Sequence, residues 1–439
     1  MSQPSTSSPA PESTDKKQTD RRTFLKGSTA AVVGGSLAAT LAAPRSVHAS
    51  VDDTIKVGLI GCGGRGKGAA VNAMRGDDNI KLTAMADAFE DQIKYGREIL
   101  SRQLGDQFDV SPEQSFFGFD AYKRLLETDV DVVLLCTPPH FRPEQLKAAI
   151  AAGKHVFCEK PVAVDPTGVR SVLETTADAR KHNLSIVSGL CWRYDLGVRE
   201  TVRRIKEEKA IGDIIAMQEN YLTGTLWHRG SKPEWSQMEY QMRNWLYFTW
   251  LSGDHIVEQH IHSLDKSLWL MDDVPPARCF GLGGRQVRTE EEWGHIFDHF
   301  AVCYEWDNGV KMYSYTRQMK GCAGDVDDYI LGTKGQSKLL KHTISADEDW
   351  RYRGPKPSMY DVEHKELYAG IRSGNLINNG EYMSYSTLMA IMGREACYTG
   401  QTIDWETAIN SKQKLGPDTY EWGDVATPEI AMPGVTTFA

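Results

Sequence analysis

Three stretches of the chain carry residue types and spacings that could do chemistry. Gly61-Cys62-Gly63-Gly64-Arg65-Gly66 follows the apolar run at 55–60 and opens a helix-forming stretch. Glycines at this spacing permit a tight turn, let backbone approach a pyrophosphate, and leave amide donors at a helix N-terminus. Asp87 closes the next apolar run, 21 residues past Gly66, where a carboxylate can bind the two hydroxyls of an adenosine ribose. Because that carboxylate repels a 2′-phosphate and no Arg or Lys stands at 88–91, the pattern favours NAD over NADP. The second stretch is Glu159-Lys160-Pro161, directly after another apolar run. The third, residues 254–265, holds His255, His260 and His262 among Asp254, Glu258 and Asp265. Glu258 and His262 are four apart, so on a helix they share one face. A carboxylate so placed can hold and polarise an imidazole as a general base requires. His255, Glu258 and His262 on adjacent turns could alternatively ligate a metal, although none is assigned. His255 and His260 are also the candidates for a purely structural role.

The elements that must position these residues alternate strand and helix from residue 54. Strands are expected at 55–60, 80–86, 130–135, 155–157 and 185–189, with helices at 67–74, 90–104, 143–152 and 166–182 between them. Right-handed crossovers then give a parallel, doubly wound α/β sheet. From residue 214 the pattern changes to strands with hairpin signals, the clearest being 300–306 and 310–313 around Asp307-Asn308-Gly309. This predicts a second, α+β domain on a mainly antiparallel sheet, with a helix near 384–398 packing back toward the first domain. Eight of the 31 residues from 220 to 250 are aromatic, against 9% for the whole chain. Trp227 and its neighbours, mixed with His228, Arg229 and Arg243, suit the C–H face and hydroxyl rim of a sugar, or equally an oligomer interface.

At 439 residues, with 41% hydrophobic and 25% charged residues, the chain is globular and long enough for two domains. A formal net charge of −9 without a basic block argues against a nucleic-acid partner. The eight Cys show no paired zinc-type spacing, and Cys62, Cys136 and Cys158 read as small buried thiols at strand ends. Residues 1–20 are Ser/Pro/Thr/Lys-rich. Arg21-Arg22-Thr23-Phe24-Leu25-Lys26, a weakly hydrophobic run to Ala43 and Val47-His48-Ala49 follow. This segment resembles a twin-arginine export signal, leaving no stable membrane span after cleavage; an uncleaved anchor is the alternative. The expected organisation is a leader at 1–49, a Rossmann NAD-binding domain at 50–190, a substrate and oligomerisation domain at 191–412, and a tail at 413–439.

At Ala152-Gly153-Lys154-His155-Val156-Phe157-Cys158-Glu159-Lys160-Pro161 the chain resembles the glucose-fructose oxidoreductase and inositol dehydrogenase (Gfo/Idh/MocA) family, whose mark is Glu-Lys-Pro at the end of the fifth strand. The resemblance runs from about residue 54 to about 410. It rests jointly on the Gly loop, Thr137-Pro138, Glu-Lys-Pro and a downstream His-x-x-Asp. It implies an NAD(P)-dependent oxidoreductase acting on a secondary hydroxyl of a sugar or cyclitol, and a homo-oligomer. By carry-over Lys160 lies beside the nicotinamide and the reacting hydroxyl, His262 is the base with Glu258 at the family's Asp position, and Asp265 is the final Asp. The cofactor would be lined by Gly61, Gly63, Gly64, Arg65, Gly66, Asp87, Thr137, Pro138, His140, Glu159 and Lys160. Substrate contacts are expected from Arg193, Tyr194, Trp227, His228, Asp254 and His255. Where relatives often read T-P-x-x-x-H, Arg142 replaces the His and His140 stands two positions earlier. Export of a folded, cofactor-loaded enzyme to the periplasm implies a tightly held NAD and return of the hydride within one site. Exchange between sugars, epimerisation and glycoside cleavage through a transient ketosugar all meet that condition. A non-catalytic carbohydrate-binding relative is the remaining alternative.

Overall fold

Runs of Ile, Val and Leu ending in Gly, Asp or Cys form a six-stranded sheet in the computed structural model, which describes residues 53–438. The leader and export motif expected at 1–49 therefore lie outside the described residues. The strands are β1 (Ile55–Ile60), β2 (Ile80–Asp87), β3 (Ser115–Phe117), β4 (Val132–Leu135), β5 (His155–Cys158) and β6 (Ile186–Ser188). All pair in parallel, in the order β3-β2-β1-β4-β5-β6. β4 and β5 are buried at every residue, as strands covered by helices on both faces must be. The connecting helices start on local chemistry. Pro166–Lys181, for example, has Pro at its first turn and is capped by Asp165, whose carboxylate accepts from the Gly168 amide at 2.7 Å. Chain order reverses between β1 and β4, which opens a crevice at the carboxyl ends of those two strands. β3 is the one strand of this sheet absent from the expected set; its three residues lack a buried side chain to announce it.

The second sheet contains β7 (Ile214–Thr223), β8 (Arg278–Gly284), β9 (His299–Glu305), β10 (Lys311–Gln318), β11 (Asp325–Gly332), β12 (Gln336–Lys338), β13 (Thr343–Ser345), β14 (Trp350–Arg351) and β15 (Ile403–Asp404). Its order is β14-β13-β12-β11-β7-β10-β9-β8-β15. Every pairing is antiparallel except β7 with β10, which is parallel. The Asp307-Asn308-Gly309 turn closes the β9/β10 hairpin, with Gly309 at φ +85°. One face packs under helices Ile261–Leu270 and Gly380–Thr399 in a single apolar core. The chain passes to this sheet after β6, yet it returns. Asn378 bridges to Ile186, and His364 stacks on Phe157 with ring centroids 4.2 Å apart. The second half thus completes the first sheet's outer layer.

Candidate active site

Two glycines of the loop, Gly61 and Gly66, have a steric reason. Gly61 has φ +94°, and a Cβ there would meet the Cys136 carbonyl carbon at 2.6 Å, so the turn after β1 lies directly on the strand end of β4. A Cβ at Gly66 would fall 1.8 Å from the Gly61 carbonyl oxygen, which only glycine permits where the helix crosses the strand. Gly63 and Gly64, by contrast, face open space with nothing within 4 Å. Helix Gly64–Met74 starts there without a side-chain cap, so its first amides are left for an anion. Asp87 stands beside this cradle. Its carboxylate accepts from the Cys62 amide at 2.6 Å and the Phe89 amide at 2.9 Å. Burial pushes its pKa up to about 6, with the two amides pulling the other way. An open backbone cradle with an acid at its rim fits the pyrophosphate and ribose of NAD.

Arg65 has another use. Its side chain bridges two buried carboxylates, Glu159 through Nε and Glu363 at 3.3 Å, and lies over the Tyr360 ring. Its guanidinium is thus engaged by carboxylates, although the side chain stays 36% exposed. Glu159 therefore holds Arg65, and its second oxygen accepts from the Lys160 amide at 3.1 Å. Thr137 donates to Gln145 at 2.6 Å beside Pro138. His140 bonds to the Tyr420 hydroxyl at 2.7 Å and packs edge-on to Trp250, so it meets the C-terminal tail.

Lys160 projects from the end of β5, where its ammonium donates to the Glu258 carbonyl at 2.5 Å and to the Glu258 carboxylate at 3.1 Å. Both side chains are mostly covered, 13% and 15% exposed. This corrects the spacing argument. The segment forms two helices, His255–Glu258 and Ile261–Leu270, with a break at Gln259 and His260. Glu258 pairs with Lys160 and not with His262. The imidazole of His262 instead has a buried Nδ1 without a hydrogen-bond partner. Burial first, then the charges of Lys160, Lys266 and Arg65, push its pKa well below the ordinary value. It is therefore held neutral, with a ring nitrogen that no described group bonds.

The other expected residues divide sharply. Asp254 and His255 are not at a substrate site. Asp254 is fully buried at φ +72° and accepts from the His255 and Phe297 amides and the Tyr398 hydroxyl, while His255 is bonded to Asp254 at 3.0 Å. Asp254 is thus spent on the core, while the His255 Nε2 is buried there without a hydrogen-bond partner. Arg193 forms a buried ion-pair cluster with Asp265 (2.9 Å) and Asp273 (2.6 Å) and lies against Tyr382. Tyr194 donates to Asn379 at 2.8 Å. Both are structural. His260 bonds to Ser314 at 2.5 Å and is pushed down to about 3 by burial. The alternative metal site finds no support, since no group of three or more His, Cys, Asp or Glu side chains suited to a metal occurs among the described residues.

The aromatic segment is largely a small core of its own: Tyr247, Phe248, Trp250 and Leu251 are buried with Met238 and Ile296. Trp227 remains partly exposed beneath Arg229, and His228 bonds to the Glu292 carbonyl at 3.1 Å. Two contributors, Tyr221 and Lys266, were not singled out from sequence, and a third, Arg142, was noted there only as a departure from the family pattern. Arg142 is buried and donates to the Pro161 carbonyl at the Glu-Lys-Pro turn. Tyr221 on β7 feels Glu258, and burial with that charge pushes its hydroxyl up to about 12. Lys266 donates to the His262 carbonyl at 2.7 Å and pairs with buried Asp328 at 3.0 Å. Lys266 lies one turn beyond His262, so helical spacing could have flagged it.

Residues 55–187 match the model of an oxidoreductase family with an NAD-binding Rossmann fold. The chain is 24% identical over 360 residues to an inositol 2-dehydrogenase of Burkholderia cenocepacia, covering 79% of this chain and 94% of that protein. It is 30% identical over 200 residues to a glycosyl hydrolase family 109 protein of Shewanella amazonensis, 42% and 43% of the two chains. The scyllo-inositol dehydrogenase of Lactobacillus casei, solved with NAD(H) and scyllo-inositol, shares the fold at a TM-score of 0.61 and 19% identity, over 80% of this chain and 99% of that one. The Gly cradle, Asp87 and Glu-Lys-Pro all lie within the matched stretch, and the chain is an NAD(P)-dependent oxidoreductase of the Gfo/Idh/MocA type.

Proposed function

We propose that the protein oxidises a secondary hydroxyl of a sugar or cyclitol and returns the hydride within the same site, with NAD retained between turnovers. The observation that carries this reading is the Lys160–Glu258 pair at the carboxyl end of β5 with a neutral His262 within reach of its charge, linked to the Gly loop through Glu159 and Arg65. NAD, when bound, accepts the hydride from the carbon that bears the hydroxyl. The chain's own residues handle charge and proton. The Gly61–Gly66 loop and Asp87 bind and orient the cofactor. His262 takes the hydroxyl proton on its unprotonated ring, and the Lys160 ammonium steadies the oxygen as it becomes negative. Glu258 fixes that ammonium by two acceptors, its carbonyl and its carboxylate. Such a site suits inositol, the substrate in the names of several relatives.

The second reading, glycoside cleavage through a transient ketosugar, is favoured by the 30% identity to the glycosyl hydrolase family 109 protein. There Lys160 and His262 would do the same work in the opening step, and elimination would follow. The twin-arginine motif at Arg21-Arg22 supports export and hence a closed redox cycle. A homo-oligomer is supported by the outer face of the second sheet. Phe280, Cys303 and Tyr313 lie opposite one another across β8, β9 and β10, as do Leu282, Ala301 and Tyr315. With Leu282 80% exposed and Phe280 47%, this is an apolar surface that a second copy could cover.

The test is turnover by the purified mature chain without added NAD. Cyclitols, paired sugars and an aryl glycoside are supplied in deuterium oxide. Product without accumulating reduced cofactor supports the closed cycle, and deuterium beside the former ketone carbon selects the glycosidase route. Consumption of free NAD in step with product makes the enzyme a simple dehydrogenase and overturns the retention reading.

A further inference from the structure

The C-terminal tail is the largest described feature that the chemistry above leaves unused. Beyond helix Trp405–Asn410 the chain does not leave the molecule. Arg170 donates to the Ile409 and Ser411 carbonyls, each at 2.6 Å, and Thr167 donates to the Gln413 carbonyl at 2.8 Å. The Leu415 amide then donates to Asp165 at 2.8 Å. All three partners lie in the loop and helix after β5. Gly416, at φ +100°, passes over His140, which a Cβ there would meet at 2.6 Å. Tyr420 shares a hydrogen bond of 2.7 Å with His140 after β4 and packs on Phe119 after β3 at 5.9 Å. Trp422 lies against Phe119 at 4.5 Å and Phe89 after β2 at 5.3 Å. The Gly423 carbonyl finally accepts from the Met238 amide at 3.0 Å.

The tail therefore visits the loops after β5, β4, β3 and β2 in turn, along the carboxyl edge of the sheet. That edge is where a doubly wound fold binds its dinucleotide. Phe89 is two residues from Asp87 and donates its amide to that carboxylate, so Trp422 rests on the loop that carries the ribose acceptor. Trp422 also keeps 46% of its surface exposed. Tyr420 closes one side of a cavity of about 170 Å³ whose other walls include Phe119, Tyr122 and Phe141. Burial holds His140 down at about 4, so its bond to Tyr420 does not titrate at neutral pH.

We propose that residues 413–425 are part of the cofactor site, a strap across the loops after β4, β3 and β2 that covers the adenosine end of the dinucleotide and slows its release. The proposal rests on the assignment of NAD to the crevice. Tyr420 and Trp422 are its working residues, because an aromatic face suits a purine and their ring contacts hold the strap down.

The test loads the full mature chain with NADH, chases it with excess NAD, and follows nicotinamide fluorescence. Trp422→Ala removes two ring contacts and should release NADH about tenfold faster, the change expected from losing roughly one strong aromatic pair. Tyr420→Phe removes only the bond to His140 and should speed release by a smaller factor, which keeps the test open should Trp422→Ala fail to fold. Trp405→Ala is the control for general loosening; it removes a ring packed on Tyr385, 5.5 Å away, outside the crevice, and should leave release unchanged. Release from Trp422→Ala and Tyr420→Phe at the rate of the unaltered chain would overturn the strap. Slower release would also overturn it, because the tail would then compete with the cofactor. Failure of the unaltered chain to bind NADH at all would instead overturn the cofactor assignment, and the strap with it.

Discussion

The two ends of the crevice are built differently. At the cofactor end the geometry is made by backbone and by missing side chains: Gly61 and Gly66 allow contacts no Cβ could share, and Gly63 and Gly64 leave space. At the hydroxyl end it is made by long, charged side chains from distant segments. Lys160 finds Glu258 98 residues away, and Arg65 finds Glu159 94 residues away. The first kind of site is written in local spacing. The second depends on which partner reaches a charge first. Glu258 could have turned to His262, four residues on, yet the helix breaks at Gln259 and the carboxylate goes to Lys160.

This contrast can be broken by mutation, and the largest effect belongs to the hydroxyl end. Lys160→Ala and His262→Ala should fold, keep NAD, and lose hydride transfer by on the order of 100-fold or more, since each acts on the alkoxide or its proton. Rapid-mixing absorbance of reduced nicotinamide measures this, and a normal burst in either variant removes that residue from the mechanism.

Next in size is Asp87→Ala at the cofactor end. It should weaken NAD binding by about 1.5–3 kcal/mol, the worth of hydrogen bonds to a charged group. Calorimetric titration of cofactor-free protein gives the number; an unchanged affinity would remove Asp87 from the ribose.

The partner of Glu258 is tested by double-mutant cycles. Glu258→Gln should couple to Lys160→Met by about 1 kcal/mol or more in the activation free energy. Coupled with His262→Ala it should be additive within error. The reverse pattern would restore the Glu258–His262 pair expected from spacing alone.

The smallest effects are in pH. Asp87 is raised to about 6, so it gains a proton as pH falls through that value and loses acceptor strength. NAD affinity should fall below about pH 6 by up to about tenfold per unit, and Asp87→Asn should flatten that dependence. His262 is shifted the other way, well below its ordinary value. It stays unprotonated as pH is lowered past 6.5, so single-turnover hydride transfer at saturating NAD should show no acid limb near that pH. A limb there, lost in His262→Gln, would contradict the neutral, charge-surrounded imidazole.

How much was legible follows the same division. Alternating apolar runs revealed five of the six parallel strands, because buried parallel strands must be apolar on both faces. β3 has only Ser115, Phe116 and Phe117, none fully buried, and left no such trace. Asn308-Gly309 located its hairpin because only a few residues tolerate that turn. The parallel pairing of β7 with β10 was not visible, since alternation along a strand carries no information about a neighbour's direction. Asp254 and His255 looked like site residues by type, but the Phe297 amide and the Tyr398 hydroxyl, both remote in sequence, claim Asp254. The aromatic segment was ambiguous for a related reason. Composition reports rings, and only tertiary contact with Phe89, Phe119 and the tail makes much of it a core.

One measurement tests the roles of Lys160 and His262 most directly. The mature chain, carrying the NAD it retains, is mixed rapidly with a cyclitol or sugar substrate, and the near-ultraviolet absorbance of reduced nicotinamide is followed over the first turnover. The expected result is a burst of reduced cofactor up to the number of sites, absent from Lys160→Ala and His262→Ala although both still hold NAD. A burst of equal rate and size in those variants would contradict the central claim that Lys160 and His262 carry the chemistry of the hydroxyl end.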